Sequence, residues 1–158
     1  MERRHDMHFR IPSPLKTEHE ELHEELANAT RLPGPVGDAA RGVAKALHEH
    51  FQKEEEFALP PLGLLVAIAE DKILPEMSEV LRMTDRMKAE YGQMVKEHEA
   101  IVSELHKLIE AAKKEGMAEY ARLAERIIIH AKMEEDVLYP AAILVGEIVR
   151  LKTGALRS

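Results

Sequence analysis

The sequence contains no cysteine and no tryptophan, and aromatic residues make up only 4% of its 158 residues. Without cysteine the chain can form no disulfide, no thiolate nucleophile and no thiolate-bound metal site. Basic residues are also outnumbered, with 22 Lys and Arg against 29 Asp and Glu, for a net charge of −7 with histidines neutral. This acidic balance argues against binding to duplex nucleic acid, whose phosphates require a basic face.

Long hydrophobic runs are lacking as well. The longest apolar stretches, residues 62–69 and 141–145, fall far short of the ~20 residues that a membrane-spanning helix needs. No basic segment precedes an apolar run near the N-terminus, so no secretory signal is recognisable. The sequence therefore predicts a cytoplasmic protein, a monomer or homodimer, that binds neither nucleic acid nor membranes.

Helical periodicity dominates the rest of the chain. Residues 1–14 are predicted to form an N-terminal arm, and residues 15–158 a single all-α domain. Apolar residues recur at steps of three and four along four segments, which predicts four main helices. The first begins near Leu15, the second is capped by Asp38, the third starts near Pro75, and the fourth ends at Pro140. Gly116 is expected to end the third helix, and short apolar helical segments follow Pro61 and Pro140.

An internal repeat relates the two halves of the chain. Residues 50–60 (HFQKEEEFALP) align with residues 130–140 (HAKMEEDVLYP) at a constant offset of 80, and residues 18–20 align with residues 97–99 at an offset of 79. Each half thus has a lone histidine followed by a His-x-x-x-Glu pair. The repeat predicts an up-down four-helix bundle made of two pseudo-symmetric helical hairpins.

The repeated histidines and glutamates fall on predicted inward faces. Residues four apart on an α-helix share a face, so His50 points the same way as Glu54, and His130 the same way as Glu134. Burying unpaired carboxylates or imidazolium groups costs several kcal/mol each, so the pattern predicts a pair of divalent metal ions bridged by the two glutamates. Imidazole and carboxylate ligands suit iron or manganese and are compatible with zinc. The predicted metal ligands are His19, His50, Glu54, His98, His130 and Glu134.

Other residues are assigned to the surroundings of this predicted site. His23 is either an additional ligand or a surface residue, and Tyr91 either lines the site or packs at the edge of the core. Glu55 and Glu56 are expected to face water. The remaining histidines, predicted not to be ligands, are His5, His8, His48 and His106. The residues predicted to line a pocket at the metals are Leu22, Phe57, Met94, Ile101 and Val137.

These residues resemble the motif of the hemerythrin-like (HHE cation-binding) domains, in which a His on one helix and His-x-x-x-Glu on the next occur twice. The resemblance covers residues 15–140. It implies a non-haem di-iron centre with carboxylate and oxo or hydroxo bridges and an open position for a small molecule. Met94 stands where the oxygen carriers of the family have an additional His, and Glu135 where they have an Asp ligand. The set of four His and two Glu is more similar to the sensing and iron-sulfur-repair branches.

Binding or sensing of oxygen or nitric oxide is therefore the expected function. The alternatives are an iron-dependent redox enzyme that reduces peroxide or oxygen, and a protein that handles iron for iron-sulfur repair. A bundle in which the metals are purely structural is a third option. The sequence leaves open whether the protein is an enzyme.

Overall fold

Helices make up nearly all of the structure, a computed structural model that describes residues 9–154, and no strand occurs in that range. The predicted all-α class and the four main helices, here α1, α2, α4 and α5, are confirmed. No helix within residues 9–154 combines the length and the apolar composition needed to cross a membrane. The α-helices are, in chain order, α1 (Ser13–Thr30), α2 (Gly34–Lys53), α3 (Leu65–Ala69), α4 (Leu81–Lys114), α5 (Ala118–Met133) and α6 (Tyr139–Thr153).

The first helix begins two residues earlier than predicted, at Ser13. Pro14 therefore lies in its first turn, where proline is well tolerated because the N–H it lacks would have no helical partner. The predicted arm, residues 1–14, is described only from residue 9 onward. His5 and His8 lie outside the described residues.

The start of α2 differs from the prediction. The helix begins at Gly34, so Asp38 lies one turn inside it and does not cap it. Gly34 has a φ of +81°, a conformation that favours glycine, and Pro35 follows in the first turn. Asp38 instead pairs with Arg41 on the same helix. Gly34 and Pro35 thus start this helix four residues before Asp38, the residue predicted to cap it.

Gly116 ends α4 as predicted, with a φ of +71° and a hydrogen bond from the Met117 N–H to the Ala112 carbonyl. Pro75 begins a 3-10 helix, Pro75–Val80, that precedes α4, so the α-helix starts later than predicted. The prediction that Pro140 ends the fourth helix is wrong. Pro140 lies in the first turn of α6, where a missing N–H is accepted, and the chain stays helical across it.

Two five-residue π-helical segments, Glu54–Ala58 and Glu134–Leu138, interrupt the regular α-helix. Each begins at the glutamate of a His-x-x-x-Glu pair, so the 80-residue offset of the repeat also holds for the backbone conformation. A π-helical turn contains more residues than an α-helical turn, and single turns of this kind are frequent at functional sites. The first is followed by a 3-10 helix, Pro60–Leu64, and the second by α6.

The described chain divides into two compact units. The histidine unit comprises residues 13–52 and 92–135, and the second unit comprises residues 9–12, 53–91 and 136–154. In the histidine unit, segments of all four main helices share one hydrophobic core. Its largest buried members are Leu22 and Leu26 of α1, Leu47 of α2, Ile101, Leu105 and Leu108 of α4, and Leu123 and Ile127 of α5.

In the second unit, α6 packs against both 3-10 helices and against α3. Val145 and Val149 of α6 form an apolar core with Leu64, Met77 and Val80. The two apolar segments that follow Pro61 and Pro140 thus pack against each other. Each segment has too little polar surface to remain in water alone, so their mutual burial is the expected outcome.

Candidate metal centre

Each of the four main helices contributes one buried histidine to the histidine unit. His19, His50, His98 and His130 are all less than one-tenth exposed. They are buried because each follows the apolar face of its helix, as His19 does with Leu22. All four predicted histidine ligands therefore point into the unit rather than into solvent.

Three of these imidazoles converge on Glu134, which is only 2% exposed. The Nε2 atoms of His19 and His130 lie 3.1 and 3.0 Å from Glu134 Oε2, and Nε2 of His98 lies 3.2 Å from Glu134 Oε1. Both oxygens of one buried carboxylate thus face imidazole nitrogens. We call His19, His50, His98, His130 and Glu134 the histidine cluster.

The four rings of the histidine cluster form two pairs. The ring centroids of His19 and His130 are 4.9 Å apart, and those of His50 and His98 are 4.6 Å apart. Each pair combines the lone histidine of one half of the repeat with the His-x-x-x-Glu histidine of the other half. Each pair, together with Glu134, offers a group of ligand atoms that lie within 4.8 Å of one another and can hold a metal ion.

Further carboxylates hold the opposite sides of the imidazoles. The Nδ1 atoms of His50 and His98 are hydrogen-bonded, at 2.8 Å, to Glu97 and Glu135 respectively. Nδ1 of His130 lies 3.0 Å from a carboxylate oxygen of Glu18. A histidine that ligates a metal ordinarily donates its other ring N–H to such an acceptor, which fixes the ring orientation and leaves the remaining nitrogen for the metal.

Sequence analysis did not assign a role to Glu18, Glu97 or Glu135. A signal was nevertheless present, because Glu18 and Glu97 directly precede His19 and His98 and occupy equivalent positions in the repeat. In the structure, each of these two glutamates reaches the histidine of the other half. Such a pairing depends on how the helices pack and is not visible along one chain segment.

A small cavity lies at the histidine cluster. Its volume is about 20 Å³, enough for one water-sized molecule. Leu22 and Ile101, both predicted pocket residues, line it. The other apolar residues of its wall include Leu26, Leu47, Phe51 and Ile127. The wall therefore combines a few convergent polar groups with apolar side chains, as small-molecule sites commonly do.

Glu54, the remaining predicted ligand, is fully buried. It follows His50 by four residues in the sequence. In the second unit, the Tyr139 hydroxyl donates a hydrogen bond of 2.5 Å to Glu54 Oε2. Tyr139 is itself fully buried and was not assigned by sequence analysis.

The exposure of His23 and Tyr91 bears on the alternatives that sequence analysis gave for each of them. His23 is exposed and its ring lies 5.6 Å from that of Phe51, which favours the surface alternative. Tyr91 is half-buried and packs edge-on against Tyr139, with ring centroids 6.5 Å apart. His48 and His106 are exposed, as predicted for non-ligands, and so are Glu55 and Glu56.

Not all predicted pocket residues line the cavity of the histidine unit. Met94 is fully buried but is not part of its wall, and Phe57 is buried in the second unit beneath the Arg86 guanidinium. Val137 is 55% exposed, so its assignment to a buried pocket is wrong. Phe57, at the equivalent position of the first half of the repeat, is only 1% exposed, so the two halves differ here although both positions lie in π-helical segments.

The donor set of the histidine cluster fits a metal ion. Buried carboxylates require a positive partner, which is either an imidazolium or a metal cation. Imidazole Nε2 atoms that point to a common centre, with carboxylates holding Nδ1 from behind, are the usual arrangement around a metal. Imidazole and carboxylate ligands without thiolate favour iron, manganese or zinc over thiophilic metals.

Comparison of the chain with models of protein families, with curated proteins and with solved structures gave no match. The function is therefore argued from the candidate metal centre.

Proposed function

We propose that the chain binds two metal ions, preferentially iron, and that oxygen or nitric oxide binds at this centre. The observation that carries the proposal is the convergence of three imidazole Nε2 atoms on the buried Glu134. The twice-repeated motif supports the same proposal through its resemblance to hemerythrin-like domains. The proposal also includes an up-down arrangement of the four helices and a cytoplasmic location.

In this proposal each imidazole pair holds one ion. His50 and His98 would ligate the first ion, and His19 and His130 the second. Glu134 would be shared by both ions, because its two oxygens face different pairs. Each ion would then be held by at least two imidazoles and one carboxylate, a donor set common to iron and manganese sites in helical bundles.

Glu54 is proposed as the second carboxylate of the centre, because the repeat makes it the equivalent of Glu134. When bound, ferrous iron would supply the affinity for oxygen or nitric oxide. The chain contributes orientation of the ligands and an apolar wall, including Leu22 and Ile101, that limits access of water. A cavity of about 20 Å³ also restricts the bound molecule to a few atoms.

Reduction of oxygen or peroxide is the second candidate function. The observation that favours it is the buried Tyr139 hydroxyl, which holds a proton 2.5 Å from Glu54. A reductive reaction consumes protons, and a phenol hydrogen-bonded to a ligand carboxylate is suitably placed to supply one. Gas binding without reduction does not require such a donor.

The proposal is tested by metal analysis of purified protein together with optical spectra under argon and after exposure to air. We expect about two iron ions per chain, a near-ultraviolet absorption increase in air, and a new spectrum when nitric oxide is added to the reduced protein. Recovery of the original spectrum after oxygen is removed would indicate reversible binding. Irreversible oxidation would favour the reductive alternative.

A matched pair of variants makes this experiment specific. His98→Ala removes a ligand of the histidine cluster, whereas His106→Ala changes an exposed histidine on the same helix. We expect His98→Ala to lose at least one of the two ions and His106→Ala to retain both. Equal metal content in both variants, or a wild-type protein that binds no metal, would contradict the proposed function.

A further inference from the structure

The outer face of α6, in the second unit, is apolar. Leu144, Ile148 and Leu151 are between 38% and 67% exposed, and the half-buried Ala141 lies one turn before them. These four residues follow one another at steps of three and four, which places them in one row along the α-helix. We call this row the α6 stripe.

The core of the second unit does not account for the α6 stripe. The residues with which α6 enters that core, Val145 and Val149, lie on the opposite side of the helix and are already buried. A helix that is apolar on both sides is ordinarily covered on both sides. Contiguous exposed apolar side chains mark interaction surfaces, so the α6 stripe favours a partner.

The order of residues in the α6 stripe fits a second copy of the same helix. Steps of three and four between apolar residues are those of a coiled-coil seam, in which Ile148 takes an a position and Leu144 and Leu151 take d positions. A β-branched residue at a with leucine at d favours a pair of parallel helices over larger assemblies.

The charged side chains beside the stripe are complementary between two parallel copies. Glu147 directly precedes Ile148, and Lys152 directly follows Leu151, so the two charges lie on opposite sides of the stripe, at g and e positions. In a parallel pair, a g residue faces the e residue five positions later in the partner helix. Glu147 of each copy then meets Lys152 of the other, whereas an antiparallel pair would bring like charges together.

Within one copy, Glu147 and Lys152 take part in weak ion pairs. The Glu147 carboxylate lies 3.4 Å from Lys88 Nζ, and the Lys152 ammonium lies 3.7 Å from the Asp71 carboxylate. All four of these side chains are at least 42% exposed. Exposed pairs of this kind contribute little to stability, so both side chains can turn to a second copy at little cost.

We propose that the α6 stripe is a homodimer interface in which α6 pairs in parallel with α6 of a second copy. A twofold axis along the seam sets each stripe residue against its own counterpart. The seam is short, so the dimer is weak and concentration-dependent. A lipid surface fits less well, because the net charge of −7 is repelled by anionic headgroups.

Sedimentation velocity of the full chain over a wide range of protein concentrations tests the interface. We expect the wild-type protein to shift from monomer to dimer as the concentration rises, and Leu144→Glu to remain a monomer throughout. Ile129→Glu is the matched control, because Ile129 has the same exposure as the stripe residues but lies on α5. A monomeric wild-type protein at every concentration, or equal effects of the two variants, would overturn the inference.

Charge reversal tests the parallel orientation. Glu147→Lys and Lys152→Glu each bring like charges together across the seam, so each should raise the dissociation constant of the dimer by several-fold. The double variant restores both ion pairs and should return to the wild-type value. A nonspecific effect of net charge would change the two single variants in opposite directions, and an antiparallel pair would leave them unchanged. Either result would overturn the inference.

Circular dichroism of each variant verifies that it is folded. Wild-type protein that stays monomeric and sediments with phosphatidylcholine vesicles would show that the α6 stripe binds a lipid surface, which also overturns the inference. The interface includes no residue of the histidine cluster, so metal analysis tests the proposed function separately. Failure of one proposal is therefore distinguishable from failure of the other.

Discussion

At the scale of single residues, the candidate centre depends on which nitrogen of each imidazole is engaged. A carboxylate that accepts a hydrogen bond from Nδ1–H leaves the lone pair on Nε2, the nitrogen that faces the interior of the cluster. Glu97 and Glu135 hold His50 and His98 in this way. Gln93 in turn donates a hydrogen bond to Glu97, one helical turn away on α4. These partners orient the histidines before any ion binds.

Glu97→Gln is predicted to weaken metal binding by about 10- to 100-fold, because the neutral amide supports the imidazole less well than the carboxylate does. The affinity for Fe²⁺ is measured under argon by competition with a coloured chelator. Glu99→Gln is the matched control, since Glu99 directly follows His98 in the sequence and is exposed. An affinity equal to that of the wild-type protein in Glu97→Gln would show that this hydrogen bond does not support the site.

A second prediction concerns Glu90 in the second unit. The hydrogen bond from Arg86, together with the nearby Lys53 ammonium, holds the pKa of Glu90 below its usual value. Because the pKa is lowered in the folded state, the pairing stabilises the fold above the ordinary Glu pKa of about 4.3 and is lost as the pH falls below it. The side chain is 28% exposed, so the contribution is small, about 0.2 to 1 kcal/mol.

Glu90→Gln is therefore expected to lower the free energy of unfolding at pH 7 and to have little effect near pH 3, well below the ordinary Glu pKa. Urea unfolding at both pH values measures the difference. Glu79→Gln, at an exposed glutamate, controls for the general effect of removing a negative charge. A destabilisation that is the same at both pH values would mean that the ion pair is not its cause.

At the scale of secondary structure elements, the π-helical segments set the geometry next to the two glutamates. The same backbone conformation gives different burial in the two halves, since Phe57 is 1% exposed and Val137, at the equivalent position, is 55% exposed. Pro140 and Pro60 follow these segments at equivalent positions but lead into different helices, α6 and a 3-10 helix. The chain thus remains helical at each of these prolines, although the type of helix changes.

The packing of α6 against α4 in the second unit requires a glycine. A Cβ atom added at Gly146 would overlap with Oγ1 and Cβ of Thr84, which is only 2% exposed and has no room to move. Gly146→Ala is predicted to lower the free energy of unfolding by about 1 to 3 kcal/mol through this overlap. Chemical denaturation measures the change.

Gly92→Ala is the matched control for this prediction. Gly92 also lies in a helix, α4, but an added Cβ meets nothing within 4 Å. Alanine should therefore stabilise the protein at this position, by about 0.5 to 1 kcal/mol, because it has the better helix propensity. If both alanine variants stabilise the protein, the contact between Gly146 and Thr84 is not as close as described.

At the scale of the whole molecule, metal binding and folding are expected to be linked. The histidine cluster draws one imidazole from each of the four main helices, so an ion held there connects segments that are distant along the chain. A ligand that binds only the folded state stabilises it by about 2.7 kcal/mol at a free concentration 100 times its dissociation constant. Removal of the metal should lower the stability correspondingly.

We therefore predict that a chelator lowers the melting temperature of the metal-loaded protein at pH 7.5 and that this difference disappears on acidification. Neutral imidazole is the ligand form, and its ordinary pKa is about 6.5, so protons displace the metal as the pH falls below that value. Circular dichroism melts at pH 7.5 and 5 measure the effect. A melting temperature that the chelator does not change at either pH would argue that the cluster is a metal-free ion-pair network.

The sequence by itself determined the all-α class, the four main helices and the burial of the six candidate ligands. These features are local or periodic: the 3.6-residue repeat of apolar residues specifies a helix and its inward face, and the 80-residue repeat marks His50 and Glu54 as equivalents of His130 and Glu134. Gly116 likewise marks a helix end because only its own backbone conformation is involved.

Only the tertiary structure decided which partners meet. The convergence of three histidines on Glu134, the support of His50 by Glu97 and the hydrogen bond from Tyr139 to Glu54 all join residues far apart in the chain. Such pairs depend on the relative shift and rotation of packed helices, which many weak apolar contacts set together and no single sequence motif encodes.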